Sequence, residues 1–329
     1  MRILLVKTSS LGDVIHNLPV ASDIHRHLPE ARIDWVVEEN FAPLPRLHPA
    51  IERVIPVAVR RWRKSLLSHG TWAEIAAFKA DLRSVPYDLV LDTQGLLKSA
   101  LISHQAALSA TGRRCGHDRT SAREPWAARF YDQGYAIAKD MHAVERNRHL
   151  AAAALHYPLD SPLDYGLRAQ PLNADWLPRL PHAVLLTATS RDDKLWPEDR
   201  WIALGHALHE QGLTAIFPAG NPTERARAAR IAQRIPEAVA APALDLATLA
   251  QLLAGAVKVV GVDTGLTHLA AALARPTVAI FTGSDPLLTG VHAGPRAINL
   301  GGIGHAPALA DVLQALTATG TSEAGAIAP

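Results

Sequence analysis

Short β-rich apolar runs alternate, along most of the chain, with stretches whose apolar residues recur at helical spacing. In the first half, residues 2–6, 33–37 and 89–92 read as strands, and residues 14–28, 72–82 and 142–155 carry helical periodicity. A stretch at 157–181, with Pro158, Pro162, Pro171, Pro178 and Pro181, then breaks the rhythm as a linker would. The alternation resumes beyond it. Residues 183–187, 214–218, 257–262 and 277–281 predict strands, and 197–210, 223–235, 246–254 and 267–274 predict the helices between them. Such alternation is the signature of parallel sheets covered by crossover helices. The pattern predicts an α/β chain of two doubly wound domains facing each other across a cleft, one over 1–165 and one over 166–319. Residues 320–329 are small and polar and are expected to form a disordered tail. In doubly wound sheets ligands gather outside the carboxyl ends of the strands, so the residues just after each strand carry most weight.

Length supports two domains, because 329 residues exceed what one core usually organises. Hydrophobic residues at 48% and charged ones at 19% are ordinary for a globular protein. No apolar run approaches the roughly 18 to 20 residues that span a bilayer. The opening Met-Arg-Ile-Leu-Leu-Val-Lys reads as a first buried strand and not as a secretion signal. Cys115 is the only cysteine, which excludes an intrachain disulfide and a thiolate metal cluster and fits a reducing cytoplasm. A formal net charge of +2 gives no reason to expect nucleic acid. The basic residues are nevertheless clustered. Arg60, Arg61, Arg63 and Lys64 surround Trp62, and Arg113, Arg114, Arg119 and Arg123 form a looser group. Each cluster is either a dock for an anionic partner or a solvated surface segment.

Four stretches that follow predicted strands carry candidate chemistry. The first is Lys7-Thr8-Ser9-Ser10-Leu11-Gly12-Asp13, a turn of small residues opening a helix, whose free backbone N–H groups suit an anion or a sugar hydroxyl. It is neither a P-loop nor a Gly-x-Gly-x-x-Gly fingerprint. Its Asp13 is either a helix cap or a carboxylate for chemistry. The second, Val259 through Asp263-Thr264-Gly265-Leu266-Thr267-His268, ends a buried strand in a turn and a helix whose amino terminus suits a diphosphate. The third, Thr187-Ala188-Thr189-Ser190-Arg191-Asp192-Asp193-Lys194, offers hydroxyls and a lysine for phosphate oxygens, or is a hydrophilic loop before a Trp-Pro helix start. The fourth holds Glu224, a carboxylate suited to two ribose hydroxyls or to a helix first turn. His-Glu-x-x-His, Cys-x-x-Cys and Asp-x-Asp patterns are missing, so the sequence offers no metal site and no cofactor motif.

Taken together, Ser9-Ser10-Leu11-Gly12-Asp13-Val14, Thr189 through Lys194 and Asp263 through His268 resemble glycosyltransferase family 9, the ADP-heptose:lipopolysaccharide heptosyltransferases. The resemblance runs over nearly the whole chain, to about residue 305. Arg61-Trp62-Arg63-Lys64, Asp92-Thr93-Gln94-Gly95-Leu96-Leu97-Lys98-Ser99 and His142-Ala143-Val144-Glu145-Arg146 look like the branch that adds the first heptose to Kdo of lipid A. The heptosyltransferase II branch shares the Gly-Asp and Asp-Thr-Gly signals but is less like these three segments. It stands as the alternative, with other nucleotide-sugar transferases of the family. Ser190 replaces a second threonine of close relatives and keeps the hydroxyl.

The resemblance implies a GT-B fold of two Rossmann-like domains. It implies ADP-L-glycero-D-manno-heptose as donor, Kdo-lipid A as acceptor, and inversion at the anomeric carbon without metal or cofactor. Asp13 becomes the expected general base. Thr189, Ser190, Lys194, Glu224, Asp263, Thr264, Gly265 and His268 become the expected donor site. Ser10, Gly12, Arg60, Arg61, Arg63, Lys64, Gln94 and Lys98 become the expected acceptor site. The protein is then expected in the cytoplasm, peripheral on the inner membrane and drawn to its anionic surface. A two-lobed receptor would share the cleft but need a secretion signal, and a nicotinamide-dependent epimerase would need the missing glycine fingerprint. A nucleotide-sugar hydrolase stays open as a rival, which incubation with ADP-heptose with and without acceptor separates from transfer.

Overall fold

The computed structural model describes residues 1–189 and 191–320. The tail expected over 320–329 therefore lies, beyond residue 320, outside the described residues. Two parallel six-stranded sheets organise the chain. In the first, β1 (Arg2–Val6), β2 (Arg32–Glu38), β3 (Ile51–Val57), β4 (Tyr87–Asp92), β5 (Leu108–His117) and β6 (Gln133–Tyr135) take the order β3-β2-β1-β4-β5-β6. In the second, β7 (His182–Leu186), β8 (Thr214–Phe217), β9 (Val239–Ala240), β10 (Lys258–Val262), β11 (Thr277–Phe281) and β12 (Ala297–Gly301) take the order β12-β11-β10-β7-β8-β9. Counted from its own first strand, each sheet has the same winding, with strand order reversing between its first and fourth strands. That reversal opens a crevice at the carboxyl ends of β1 and β4, and another at those of β7 and β10.

The central strands follow from their sequences. Ile3, Leu4, Leu5 and Val6 are fully buried, as a continuous apolar run flanked on both sides by parallel neighbours must be. β10 likewise lies between β7 and β11. Its Gly261 is needed for close approach, because a Cβ there would stand 2.1 Å from Thr267 Oγ1 of the following helix. The core of the second sheet is built around Trp196 and Trp201, edge to face at 5.0 Å, with Phe217 and Ile280.

The structure departs from the sequence expectations at two points. The helix predicted over 14–28 is two helices, Leu11–Ile15 and Leu18–His27, because the Pro19 ring cannot follow an unbroken turn and sits instead at the start of the second. The first of these helices also begins earlier, which puts Asp13 in its opening turn. β3, β5, β6, β9 and β12 were not evident as apolar runs. β5, for example, carries Ser109, Thr111, Arg113 and Arg114. The boundary between the two compact units falls inside the proline-rich stretch, as a linker there predicts, and the stretch is tied down on both sides of it. The first unit ends at Arg168, whose N–H donates to Leu47 O at 3.0 Å, and the second begins at Ala169, with Leu172 N bonded to Gln251 O at 3.0 Å. Among the described residues no helix is long and apolar enough to cross a membrane.

Candidate active site

In the first unit the turn after β1 is laced to the turn after β4. Gln94 Oε1 accepts from Thr8 N and Thr8 Oγ1, each at 2.8 Å, and Gln94 Nε2 donates to Ser9 O at 2.6 Å. Asp92 Oδ1 accepts from Gln94 N at 2.8 Å and fixes the second turn. Lys7 is buried beneath both, its Nζ donating to Thr93 O at 2.8 Å and Asn147 Oδ1 at 3.2 Å. Burial pushes the Lys7 ammonium below the usual lysine range, against the pull of Asp13 and Asp92. Gln94 thus holds the turn by its whole amide group.

Asp13 stands on the rim of this crevice. Its Oδ2 accepts from Ser10 N at 2.7 Å and Ser10 Oγ at 3.0 Å, which is capping, and Arg123 Nη1 lies 4.0 Å from the same oxygen. Oδ1 accepts no hydrogen bond among the described residues, and the side chain is 30% exposed. The carboxylate therefore caps the helix with one oxygen and keeps the other available. Lys98 Nζ reaches Ser9 Oγ at 2.7 Å. Burial lowers the Lys98 pKa, with Arg60 and Arg63 adding to the effect and Glu38 and Asp13 opposing it. Those fields place Arg60, Arg63, Lys98 and Asp13 in one neighbourhood. Arg123 and Arg146 join them, since both act on Lys7 and on each other.

The expected acceptor residues separate by environment. Arg60, Arg63 and Lys64 are exposed. Arg61 differs, being held by Glu39 at 3.0 Å and Glu74 at 2.7 Å, so its charge is compensated where it stands. Ser10 and Gly12 lie in the capped turn and helix beside Asp13. Lys7, Arg123 and Arg146 were not among the expected site residues. Position just after β1 was a usable signal for Lys7. Nothing in the sequence joins Arg123 or Arg146 to Asp13, because the sheet order brings them together.

In the second unit the turns after β7 and β10 are laced in the same way. Thr189 Oγ1 donates to Asp263 O at 3.0 Å, and Lys194 Nζ donates to Asp263 Oδ2 at 2.6 Å. Ser284, just past β11 and missed by the sequence reading, donates to the same carboxylate oxygen at 2.5 Å. Thr264 precedes helix Gly265–Ala272 as its N-cap residue, without a side-chain capping bond, and His268 is buried on that helix. The helix amino terminus thus opens at the crevice beside a lysine, as an anion requires. Ser190 lies outside the described residues.

A cavity of about 470 Å³ adjoins this turn, lined by Thr187, Thr189, Leu195, Glu224 and Arg227 among others. Arg227 braces its wall, donating to Thr187 O and Trp196 O at 2.8 Å each. Glu224 occupies a capping box at Asn221. Its Oε2 accepts from Gly220 N at 2.9 Å and its Oε1 from Asn221 Nδ2 at 2.8 Å, while Asn221 Oδ1 accepts from Glu224 N at 2.9 Å. Glu224 is therefore a helix cap that also lines the cavity.

Comparison with known proteins bears on both crevices. The model of glycosyltransferase family 9 (heptosyltransferase) matches residues 75–313. Lipopolysaccharide heptosyltransferase 1 of Pseudomonas aeruginosa is 49% identical over 305 residues, which is 92% of this chain and 84% of that protein. The enzyme of the same name from Escherichia coli K12 is 45% identical over 295 residues, 88% of this chain and 90% of its own. Among solved structures, E. coli heptosyltransferase WaaC with ADP superposes with a TM-score of 0.87 at 42% identity, covering 95% of this chain and 98% of that one. The same enzyme with ADP-2-deoxy-2-fluoro heptose gives 0.84. The two doubly wound units are the Rossmann-like domains of a GT-B transferase. With its winding, its two laced crevices and these matches, the chain belongs to glycosyltransferase family 9, the heptosyltransferases.

Proposed function

We propose that this chain transfers L-glycero-D-manno-heptose from ADP-heptose to Kdo of Kdo-lipid A, inverting the anomeric carbon with Asp13 as general base and without a divalent ion. One observation supports the reading above the others. Asp13 keeps one carboxylate oxygen unbonded among the described residues, in a neighbourhood of cations suited to an anionic acceptor. The solved structures of E. coli heptosyltransferase WaaC with ADP and with ADP-2-deoxy-2-fluoro heptose support the donor.

Asp13 Oδ1 takes the proton of an acceptor hydroxyl as its oxygen bonds to the anomeric carbon. The bond from that carbon to the diphosphate oxygen breaks, and ADP leaves with the electron pair. A positioned base contributes about 10²–10⁴-fold, and alignment of two bound reactants supplies much of the rest. The helix amino terminus at Thr264 and Gly265, the Thr189 hydroxyl and Lys194 receive the charge gathering on the diphosphate. Lys194 then exchanges its bond to Asp263 for one to phosphate, while Ser284 continues to hold Asp263. Glu224 offers its remaining lone pairs to the ribose. The reaction belongs in the cytoplasm, at the inner membrane, where a lipid-borne acceptor is presented.

Incubation with ADP-heptose and Kdo-lipid A in chelator tests this directly. ADP release that depends on acceptor, with a product of inverted anomeric configuration, is the expected result. Release without acceptor, or strict dependence on a divalent ion, would count against it.

A further inference from the structure

Helix Leu97–Gln105 leaves β4 beside the first-unit crevice, with Lys98 turned toward Ser9. Leu97 and Leu101, one turn apart on a shared face, are 40% and 46% exposed. Segment Pro125–Phe130 packs against this helix and adds Trp126, 61% exposed, with the Arg129 guanidinium 4.0 Å from its ring centroid. Arg119, Trp126 and Arg129 together line a cavity of about 250 Å³. Among the described residues neither Arg119 nor Arg129 pairs with a carboxylate, unlike Arg61.

This exposure does not come from a loose loop. Glu124 Oε2 accepts from Leu97 N at 2.6 Å, Glu124 N donates to Gly95 O at 2.9 Å, and the His104 and Phe130 rings meet edge to face at 5.9 Å. The fold holds a tryptophan and two leucines outward, next to two uncompensated arginines. An apolar ring with a polar edge, beside fixed cations, matches the headgroup zone of a bilayer. There the ring is half desolvated and phosphates are dense. Exposed Leu67 and Trp72 repeat the pairing after Arg63 and Lys64.

We infer that Leu97, Leu101, Arg119, Trp126 and Arg129 form a docking surface for an anionic lipid bilayer. The surface adjoins the crevice through the chain itself. Leu97 precedes Lys98, and Trp126 lies three residues beyond Arg123, whose Nη1 is 4.0 Å from Asp13 Oδ2. A bilayer resting on it would present a membrane-borne acceptor at Asp13. The inference extends the proposed transfer to a lipid-anchored sugar, and its own test needs no substrate.

The full chain would be sedimented with acceptor-free vesicles of phosphatidylcholine alone, and with vesicles containing about one-third phosphatidylglycerol. Binding is expected to the anionic vesicles only and to weaken with salt. Arg119→Gln with Arg129→Gln should lower the partition roughly thirtyfold, and separately Trp126→Ser should lower it roughly tenfold. Arg119→Lys with Arg129→Lys should preserve it. Brominated lipids should quench wild-type fluorescence more than that of Trp126→Phe. All four variants should keep wild-type turnover on a soluble Kdo acceptor, which shows that they fold. Equal binding by wild type and the Gln and Ser variants, no binding to anionic vesicles, or self-association abolished by Trp126→Ser would each overturn the docking surface. If vesicle binding follows the expectation while Kdo-lipid A accepts no heptose, the surface stands and the substrate reading falls.

Discussion

A carboxylate three residues into a helix ordinarily satisfies the amides at its start, and the sequence leaves capping and catalysis as rival readings of Asp13. The geometry lets it do both, because Oδ2 takes the Ser10 amide and hydroxyl while Oδ1 accepts nothing among the described residues. Asp13→Asn keeps a capping oxygen, and so the fold, but removes the base. Turnover should fall about 10²–10⁴-fold while ADP-heptose affinity stays within about twofold, read by ADP release and calorimetry. A variant with half of wild-type turnover would sink the assignment. Other residues were less legible. Gln94 follows a strand end, as ligand-binding residues do, yet its partners Thr8 and Ser9 lie 86 and 85 positions away. Only the pairing of β1 with β4 makes it a brace. Arg61 reads as one cation among four, and its compensation by Glu39 and Glu74 depends on contacts that local sequence does not encode.

Strands were legible where a parallel sheet buries both faces, as at β1 and β10, because burial there demands an unbroken apolar run. Strands nearer the sheet margins need no such run. β5 pairs along β4 with a shift of register and carries two arginines, so hydropathy could not reveal it. Helix ends were legible when their chemistry was local. Asn221-Pro222-Thr223-Glu224 is a readable capping box, and the structure forms it. That makes Glu224 a case where stability and binding must be separated. Glu224→Ala should cost about 1 kcal/mol, a few degrees in Tm for a unit of this size, and should also raise the donor KM. Glu224→Gln retains a side-chain acceptor for the Gly220 or Asn221 amide, so Tm should change little, whereas the donor KM should still rise through weaker acceptance from the ribose. Thermal melts beside donor kinetics decide it, and an unchanged KM in the Gln variant would leave Glu224 as a cap alone.

A net charge of +2 conceals where the charge sits. Lys7, Arg60, Arg63, Lys98, Arg123 and Arg146 come from five separate segments, and the order of the first sheet brings them into one another's fields around Asp13. No reading of local clusters could assemble that set, although it did find Arg60 and Arg63 in one cluster and Arg123 in another. The physical consequence is long-ranged attraction for an acceptor bearing phosphates and carboxylates, and such attraction is screened by salt. Arg60→Gln, Arg63→Gln and Lys64→Gln combined should therefore raise the acceptor KM severalfold at low ionic strength. The loss should shrink as the Debye length falls from about 30 Å at 0.01 M to about 10 Å at 0.1 M. Donor KM should not respond, because the expected donor residues belong to the second unit. Arg61→Gln alone is the internal control. Its guanidinium is already compensated, so removing it should release Glu39 and Glu74 and disturb the local packing of Trp62, with little salt-dependent change in acceptor KM. Acceptor kinetics for both variants at the two salt concentrations test the distinction. A triple variant whose acceptor KM matches wild type at both would show that the exposed basic residues are a solvated surface.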